Sequence, residues 1–154
     1  MRKNYVAYGS NLNLIQMGYR CPDAKLVAKG FLSNYELLFC GQNGNCYCTV
    51  KRHNGMSVPI CIFSVSEKDI KSLDRYEGYP VHYRKVILKA KDIILTDCTK
   101  YISQPFIYIM NEDMGGIGAP SHRYFNTVLQ GYRDCGLDKW FLYKAYDVST
   151  LHLR

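Results

Sequence analysis

Apolar and polar positions alternate in some stretches of this chain and recur every three to four residues in others, marking strands and helices respectively. Asn4–Tyr8 reads as a short strand, halted by Gly9. Gly9-Ser10-Asn11 is turn chemistry, and Asn11 is a suitable N-cap for a brief helix over Leu12–Met17 that Gly18 can end. Lys25–Cys40 carries one or two strands with a bend at Gly30, and Gly41–Asn45 is a loop. Cys46–Arg52 and Ser57–Val65 flank Asn54-Gly55, the strongest short-range turn signal in the chain, and are expected to pair as a hairpin.

Ser66 opens the next helix. Val65 and Ile70 stand at the hydrophobic-staple positions around it, and Asp69 can complete a capping box. Gly78 ends this helix, with Pro80 close behind. Tyr83–Lys91 alternates Val86, Leu88 and Ala90 with Lys85, Lys89 and Lys91, a strand with one wet face; Gln104–Met110 is another strand. After a glycine-rich loop, Asn111–Pro120, the residues Tyr124, Phe125, Val128, Leu129 and Tyr132 follow helical spacing. Gly136 and Leu137 suit a Schellman ending, and Trp140–Tyr146 is a last apolar segment whose type the pattern leaves open. There is no repeat, low-complexity tract or linker. The expectation is one domain over 1–154, an α+β fold in which a single antiparallel or mixed sheet curls towards a barrel.

Composition narrows the function classes. With 154 residues and 47% hydrophobic content, the chain can bury one core, which excludes a disordered tail or a fibrous repeat. Its longest apolar runs, such as Phe106–Met110, fall far short of the ~18 residues of a membrane span. Arg2 and Lys3 precede too brief an apolar run for a secretory signal, so a soluble cytoplasmic protein is expected. The formal charge of +7 is scattered. Its densest groups, Lys51-Arg52-His53 and Lys85, Lys89 and Lys91, form neither a basic helix nor a known nucleic-acid motif. Nucleic acid is therefore not an expected partner. Seven cysteines, an odd number without a Cys-x-x-Cys pair, read as small buried thiols rather than a disulfide framework, a zinc site or a catalytic nucleophile.

Three segments could carry chemistry. Ile70, Leu73 and Glu77 lie at i, i+3 and i+7, on one face of a helix. If that face is buried, Glu77 points inward, and desolvation and the helix C-terminus both raise its pKa towards the range useful for proton transfer. The same spacing is compatible with a surface carboxylate paired with Arg84 or Lys85. Tyr8-Gly9-Ser10-Asn11-Leu12 ends a strand and opens a helix, which presents backbone N–H groups to a carboxylate, a phosphate or a developing oxyanion; it is also an ordinary strand-to-helix turn. In Pro120-Ser121-His122-Arg123-Tyr124, Ser121 is a plausible N-cap, and Tyr124 is either a packed phenol or a hydroxyl aimed into a pocket.

Taken in this order, the three segments resemble the gamma-glutamylcyclotransferase family. Tyr5-Val6-Ala7-Tyr8-Gly9-Ser10-Asn11-Leu12 is similar to its N-terminal Tyr-Gly-Ser-x-Leu signature. Leu73-Asp74-Arg75-Tyr76-Glu77-Gly78-Tyr79-Pro80, followed by Tyr83 and Arg84, resembles the segment with its catalytic glutamate. Pro120-Ser121-x-x-Tyr124, with Gly131 and Gly136-Leu137, resembles its C-terminal helix, so the likeness spans about residues 4–140. It implies a small mixed or antiparallel β-barrel surrounded by helices. It also implies conversion of a gamma-glutamyl amide into 5-oxoproline and free amine. On this resemblance Glu77 is the acid/base, Tyr8, Gly9, Ser10, Asn11 and Leu12 line the glutamyl pocket largely through backbone groups, and Tyr83 and Tyr124 are pocket hydroxyls. The partner implied is a small-molecule gamma-glutamyl substrate; no metal or redox cofactor is required, and neither membrane nor nucleic acid is involved. Val58-Pro59-Ile60-Cys61 departs from the Gly-Val-aromatic strand of relatives, which bears on pocket shape. A non-catalytic module holding a carboxylated metabolite on the same scaffold is the alternative. The amine half of the substrate and the oligomeric state stay open.

Overall fold

The computed structural model describes residues 1–96 and 101–151. Its elements run β1 (Lys3–Ala7), α1 (Leu14–Arg20), β2 (Lys25–Gly41), β3 (Tyr47–Val65), α2 (Glu67–Glu77), β4 (Tyr83–Ile87), β5 (Ile93–Leu95), β6 (Phe106–Met110), β7 (Gly116–Ile117), α3 (His122–Cys135) and α4 (Trp140–Leu151). The strands form one mixed sheet in the order β4-β6-β1-β3-β2-β5, with β7 on β2. β1 is central, antiparallel to β3 and parallel to β6. The fold is thus the α+β class with a curled mixed sheet.

Strand pairing among the described residues does not close the sheet into a full barrel. Side chains fasten the curl instead. The Tyr83 hydroxyl on β4 donates to the Cys48 carbonyl on β3 (2.8 Å), and the Met110 N–H on β6 donates to Thr49 Oγ1 (3.0 Å). Val6, Phe39, Ile60, Ile62, Leu73, Phe106, Ile107, Tyr132 and Leu142 fill the core.

Several boundaries differ from the sequence reading. Asn54-Gly55 does not turn a hairpin, because β3 runs through it and both flanks pair with β2. Ser33 faces Ser57 while Tyr35 faces Arg52, so residues 53–56 bulge opposite Asn34, whose Oδ1 accepts the Gly55 N–H (3.0 Å). The local turn preference survives, but a 17-residue β2 offers both flanks a better partner than each other. The helix expected over Leu12–Met17 divides. Ser10–Leu12 is a single 3-10 turn, and Asn13, rather than Asn11, caps α1 by accepting the Gln16 N–H (3.1 Å). Gly18 lies inside α1. The strand expected over Tyr83–Lys91 ends at Ile87, and Ala90–Asp92 forms a 3-10 turn instead. The last apolar segment is helical, and Ser149 on α4 accepts the Phe39 N–H of β2 (3.0 Å). The described cysteines are buried and unbridged; Cys98 lies outside the described residues.

Candidate active site

Local sequence fixes both ends of α2. At its start, Ser66 Oγ accepts the Asp69 N–H and Asp69 Oδ2 accepts the Ser66 N–H, each at 3.1 Å, which is the expected capping box. At its end, Gly78 adopts the left-handed conformation (φ 62°, ψ 37°) and the Tyr79 N–H donates to the Asp74 carbonyl (2.9 Å). Leu73 is fully buried, so the helix face that carries it brings Glu77 inward at the last helical residue.

There Glu77 lines a cavity of about 1040 Å³. One wall is the end of β1 and the turn after it, with Tyr5, Tyr8, Gly9, Ser10 and Asn11; a second is the last turn of α2. Tyr83, Tyr108 and Met110 come from β4 and β6. Gly41, Gln42, Asn43, Asn45, Tyr47 and Cys48 come from the β2–β3 connection and the start of β3. Tyr124 enters from α3, while His82, Asp113 and Met114 complete the lining.

The two placements open for Glu77 are now separated. Lys85 pairs with Asp74 (2.8 Å), and the Arg84 guanidinium donates to the Met110 carbonyl (3.0 Å). Neither neutralises Glu77, whose carboxyl has no hydrogen bond or ion pair with another described residue. Burial is the main influence and pushes its pKa up from 4.5 to about 7, with Arg20 pulling the other way. A carboxyl group in this state exchanges a proton near neutrality.

The glycyl turn meets the same cavity. In its first residues, the N–H groups of Ser10 and Asn11 have no backbone acceptor among the described residues, whereas those of Leu12 and Asn13 close onto Gly9 and Ser10 carbonyls (3.0 Å each). A Cβ on Gly9 would stand 3.0 Å from Cys48 Cβ, so glycine lets the turn lie against β3. From the other side α3 supports it: a Cβ on Gly131 would fall 2.6 Å from the Asn13 nitrogen. Helix and turn therefore touch backbone to backbone.

The three phenols predicted for the pocket are tied to main chain. The Tyr8 hydroxyl donates to the Tyr108 carbonyl (2.7 Å), Tyr83 to the Cys48 carbonyl as above, and Tyr124 accepts the Cys48 N–H (3.1 Å). Burial raises all three well above the usual phenol range, so they stay neutral. Ser121 caps α3 as expected, which orients Tyr124.

Tyr8, Gly9, Ser10, Asn11, Glu77, Tyr83 and Tyr124 thus converge on one cavity. Leu12 does not. Its side chain is fully buried beside Gly131, and its carbonyl accepts the Cys135 thiol (3.3 Å), so it supports the turn from behind. Sequence reasoning missed Tyr5, Tyr108, Cys48 and the amide side chains of Gln42, Asn43 and Asn45. Alternation along β1 and β6 hints at the tyrosines, but only the long β2–β3 pairing carries residues 42–48 to the cavity. Among the described residues no cluster of three or more His, Cys, Asp or Glu side chains is arranged to hold a metal ion. No described helix is long and apolar enough to cross a membrane.

A half-buried acid and a turn of backbone donors thus line one large pocket. The sequence matches the family described as "Gamma-glutamyl cyclotransferase, AIG2-like" over residues 5–126, and the chain belongs to that family. Its fold is similar to a solved gamma-glutamyl cyclotransferase at 21% identity and TM-score 0.79, covering 94% of this chain and 86% of that one. An uncharacterized Homo sapiens protein is similar at 20% identity and TM-score 0.75, again over 94% and 86%. YkqA from Bacillus subtilis aligns at 15% identity and TM-score 0.73, over 96% of this chain and 54% of that one. A search of curated protein sequences returned no match.

Proposed function

We propose that this protein, acting as one cytoplasmic domain over residues 1–154, converts a gamma-glutamyl amide into 5-oxoproline and a free amine. The observation that carries the reading is Glu77: an inward carboxyl with no hydrogen-bond or ion-pair partner among the described residues, its pKa raised by burial to about 7, on the same cavity as the Gly9–Asn11 turn.

The substrate's α-ammonium must lose a proton before its nitrogen can attack the γ-carbonyl carbon. An ordinary glutamate is a poor base for an α-amino group of pKa ~8, whereas one near 7 exchanges that proton almost without cost. Glu77 takes the proton, and the nitrogen lone pair closes a five-membered ring on the carbonyl carbon. As the bond from that carbon to the amine breaks, protonated Glu77 returns its proton to the departing nitrogen; the ring nitrogen gives its second proton to the freed carboxylate, which passes it to the amine as that leaves as an ammonium. The Ser10 and Asn11 N–H groups suit the α-carboxylate or the developing oxyanion. Because both reacting groups belong to one molecule, holding it in its cyclising shape supplies much of the rate, up to ~7–11 kcal/mol. Tyr8, Tyr83 and Tyr124, fixed by their main-chain bonds, shape the glutamyl pocket and exclude water from it.

The test is a panel of gamma-glutamyl amides with 5-oxoproline detection. Wild type should release 5-oxoproline from at least one member. Glu77→Gln should lose ~10²–10⁴-fold in turnover, as expected for removing a general base, while unfolding no more easily than wild type. Equal turnover by Glu77→Gln refutes the assignment. Binding without product across the panel assigns the cavity to a non-catalytic module instead.

A further inference from the structure

α1 ends at Arg20, outside the motifs read from the sequence. Its Nη1 donates to Asn11 Oδ1 (2.6 Å) and its Nη2 to Gln16 Oε1 (2.8 Å). The guanidinium carbon lies 3.5 Å from the centroid of the Tyr76 ring, a stacked cation–π contact. Tyr76 in turn shares a hydrogen bond with Ser10 Oγ (2.8 Å), and Asn11 Nδ2 donates to the Tyr5 hydroxyl (2.8 Å). Arg20 thus joins the turn that supplies backbone donors to the residue just before Glu77. These contacts use the planar fork of a guanidinium: two in-plane donors and a flat face at once.

We propose that Arg20 is a positioning residue for Glu77: it clamps the last turn of α2 onto the Gly9–Asn11 turn through Tyr76 and Asn11, and its charge bears on the carboxyl without touching it. The proposal rests on Glu77 being the acid/base. It explains why a half-buried arginine makes no ion pair among the described residues while one carboxyl stays unpartnered nearby. Direct pairing would lock Glu77 in its ionised form and block the return of the proton. A guanidinium held away by Asn11, Gln16 and Tyr76 tempers the effect of burial instead.

The other groups facing the carboxyl are neutral or lie in the same cavity. Tyr5 and Tyr8 approach from β1 and its turn, Cys48 from β3, Tyr83 from β4 and Tyr108 from β6; all are raised by burial and uncharged near neutrality. Arg75 on α2, His82 before β4 and Asp113 in the loop before β7 also line the cavity. Among the described residues, Arg20 is the cation whose charge draws the Glu77 pKa down.

Two variants separate charge from geometry. In Arg20→Gln, the Glu77 side-chain carbon, observed by ¹³C NMR in selectively labelled protein, should titrate about half to one pH unit higher than in wild type, the size of losing one partly screened opposite charge. Arg20→Lys keeps the charge but not the fork. Its Glu77 should titrate as in wild type, while kcat on the best gamma-glutamyl substrate drops about tenfold or more, the loss expected when a base is held out of line. An unmoved titration in Arg20→Gln, or wild-type kcat in Arg20→Lys, overturns the proposal. The NMR titration needs no substrate, so an inactive wild type would refute the cyclotransferase reading and still leave the effect of Arg20 on Glu77 decided. If Arg20→Gln does not fold, the Arg20→Lys arm decides alone.

Discussion

At the N-terminal end of α2, Asp69 is fully buried and both its oxygens are engaged: Oδ2 accepts the Ser66 N–H (3.1 Å) and Oδ1 the Asp23 N–H (3.3 Å). At the opposite end, Glu77 is half-buried and accepts nothing from another described residue. The more deeply buried acid is the structural one, joining α2 to the turn after α1. The other has lost water without gaining a donor, and that is the state in which a carboxyl gives up and takes back a proton near neutrality. Burial depth therefore does not mark the chemical group. Unmet hydrogen-bonding capacity facing a cavity does.

Asp69→Ala is the strongest way to break this contrast. It leaves the Ser66 and Asp23 N–H groups without their acceptor, at ~1–3 kcal/mol for each, so roughly 2–6 kcal/mol of stability should be lost. Urea unfolding checks this. A loss below about 1 kcal/mol would show that Asp69 is not the anchor its bonds suggest.

The pH dependence of Glu77→Gln is the next largest effect. Glu77 ionises near its ordinary 4.5 in the unfolded chain and at about 7 in the folded protein. Between those values the unfolded chain has released a proton that the folded protein still holds. Raising the pH through this window therefore favours unfolding. Wild type should lose stability relative to Glu77→Gln from pH 4.5 to about 7, by roughly 3 kcal/mol at most, and the gap should then level off. The unfolding free energies of the two proteins, measured at pH 4, 5.5, 7 and 8, test this. A pH-independent difference would mean that the carboxyl is solvated in the folded state.

How much of this was legible beforehand follows the range of the interactions involved. The capping box, the Gly78 and Gly136 endings and the inward face of Leu73 and Glu77 are local, each set by residues within two helical turns, and the sequence pattern reports them. The Asn54-Gly55 hairpin failed because a local turn preference was overruled by β2, a partner distant in the chain. Asn11 failed as the helix cap for a related reason: its side chain is held by Tyr5 and Arg20 and is not free to cap, and Asn13 takes the role. Leu12 was assigned to the pocket as the last residue of the Tyr8–Leu12 turn, largely through backbone groups, and the packing of α3 through Gly131 places its side chain in the core. The far wall of the cavity, residues 41–48, has no local signature, since only the register of β2 against β3 brings it across from Glu77.

Ser66→Ala gives the smallest effect and sharpens the account of Asp69. The Ser66 hydroxyl accepts the Asp69 N–H (3.1 Å) and donates to Asp23 Oδ2 (2.8 Å), so its loss removes one half of the capping box. The Asp69 carboxylate keeps both backbone donors, because they are N–H groups that the substitution leaves in place. The expected cost is about 1 kcal/mol, the usual value of an N-cap hydroxyl. 5-Oxoproline release should keep its wild-type kcat and pH profile, because Glu77 lies at the far end of the helix. If Ser66→Ala costs as much as Asp69→Ala, the two residues act as one unit, and the stability assigned to the buried carboxylate belongs to the whole cap. If it instead moves the pH profile, the two ends of α2 are coupled, and the separation of a structural acid from a chemical one fails.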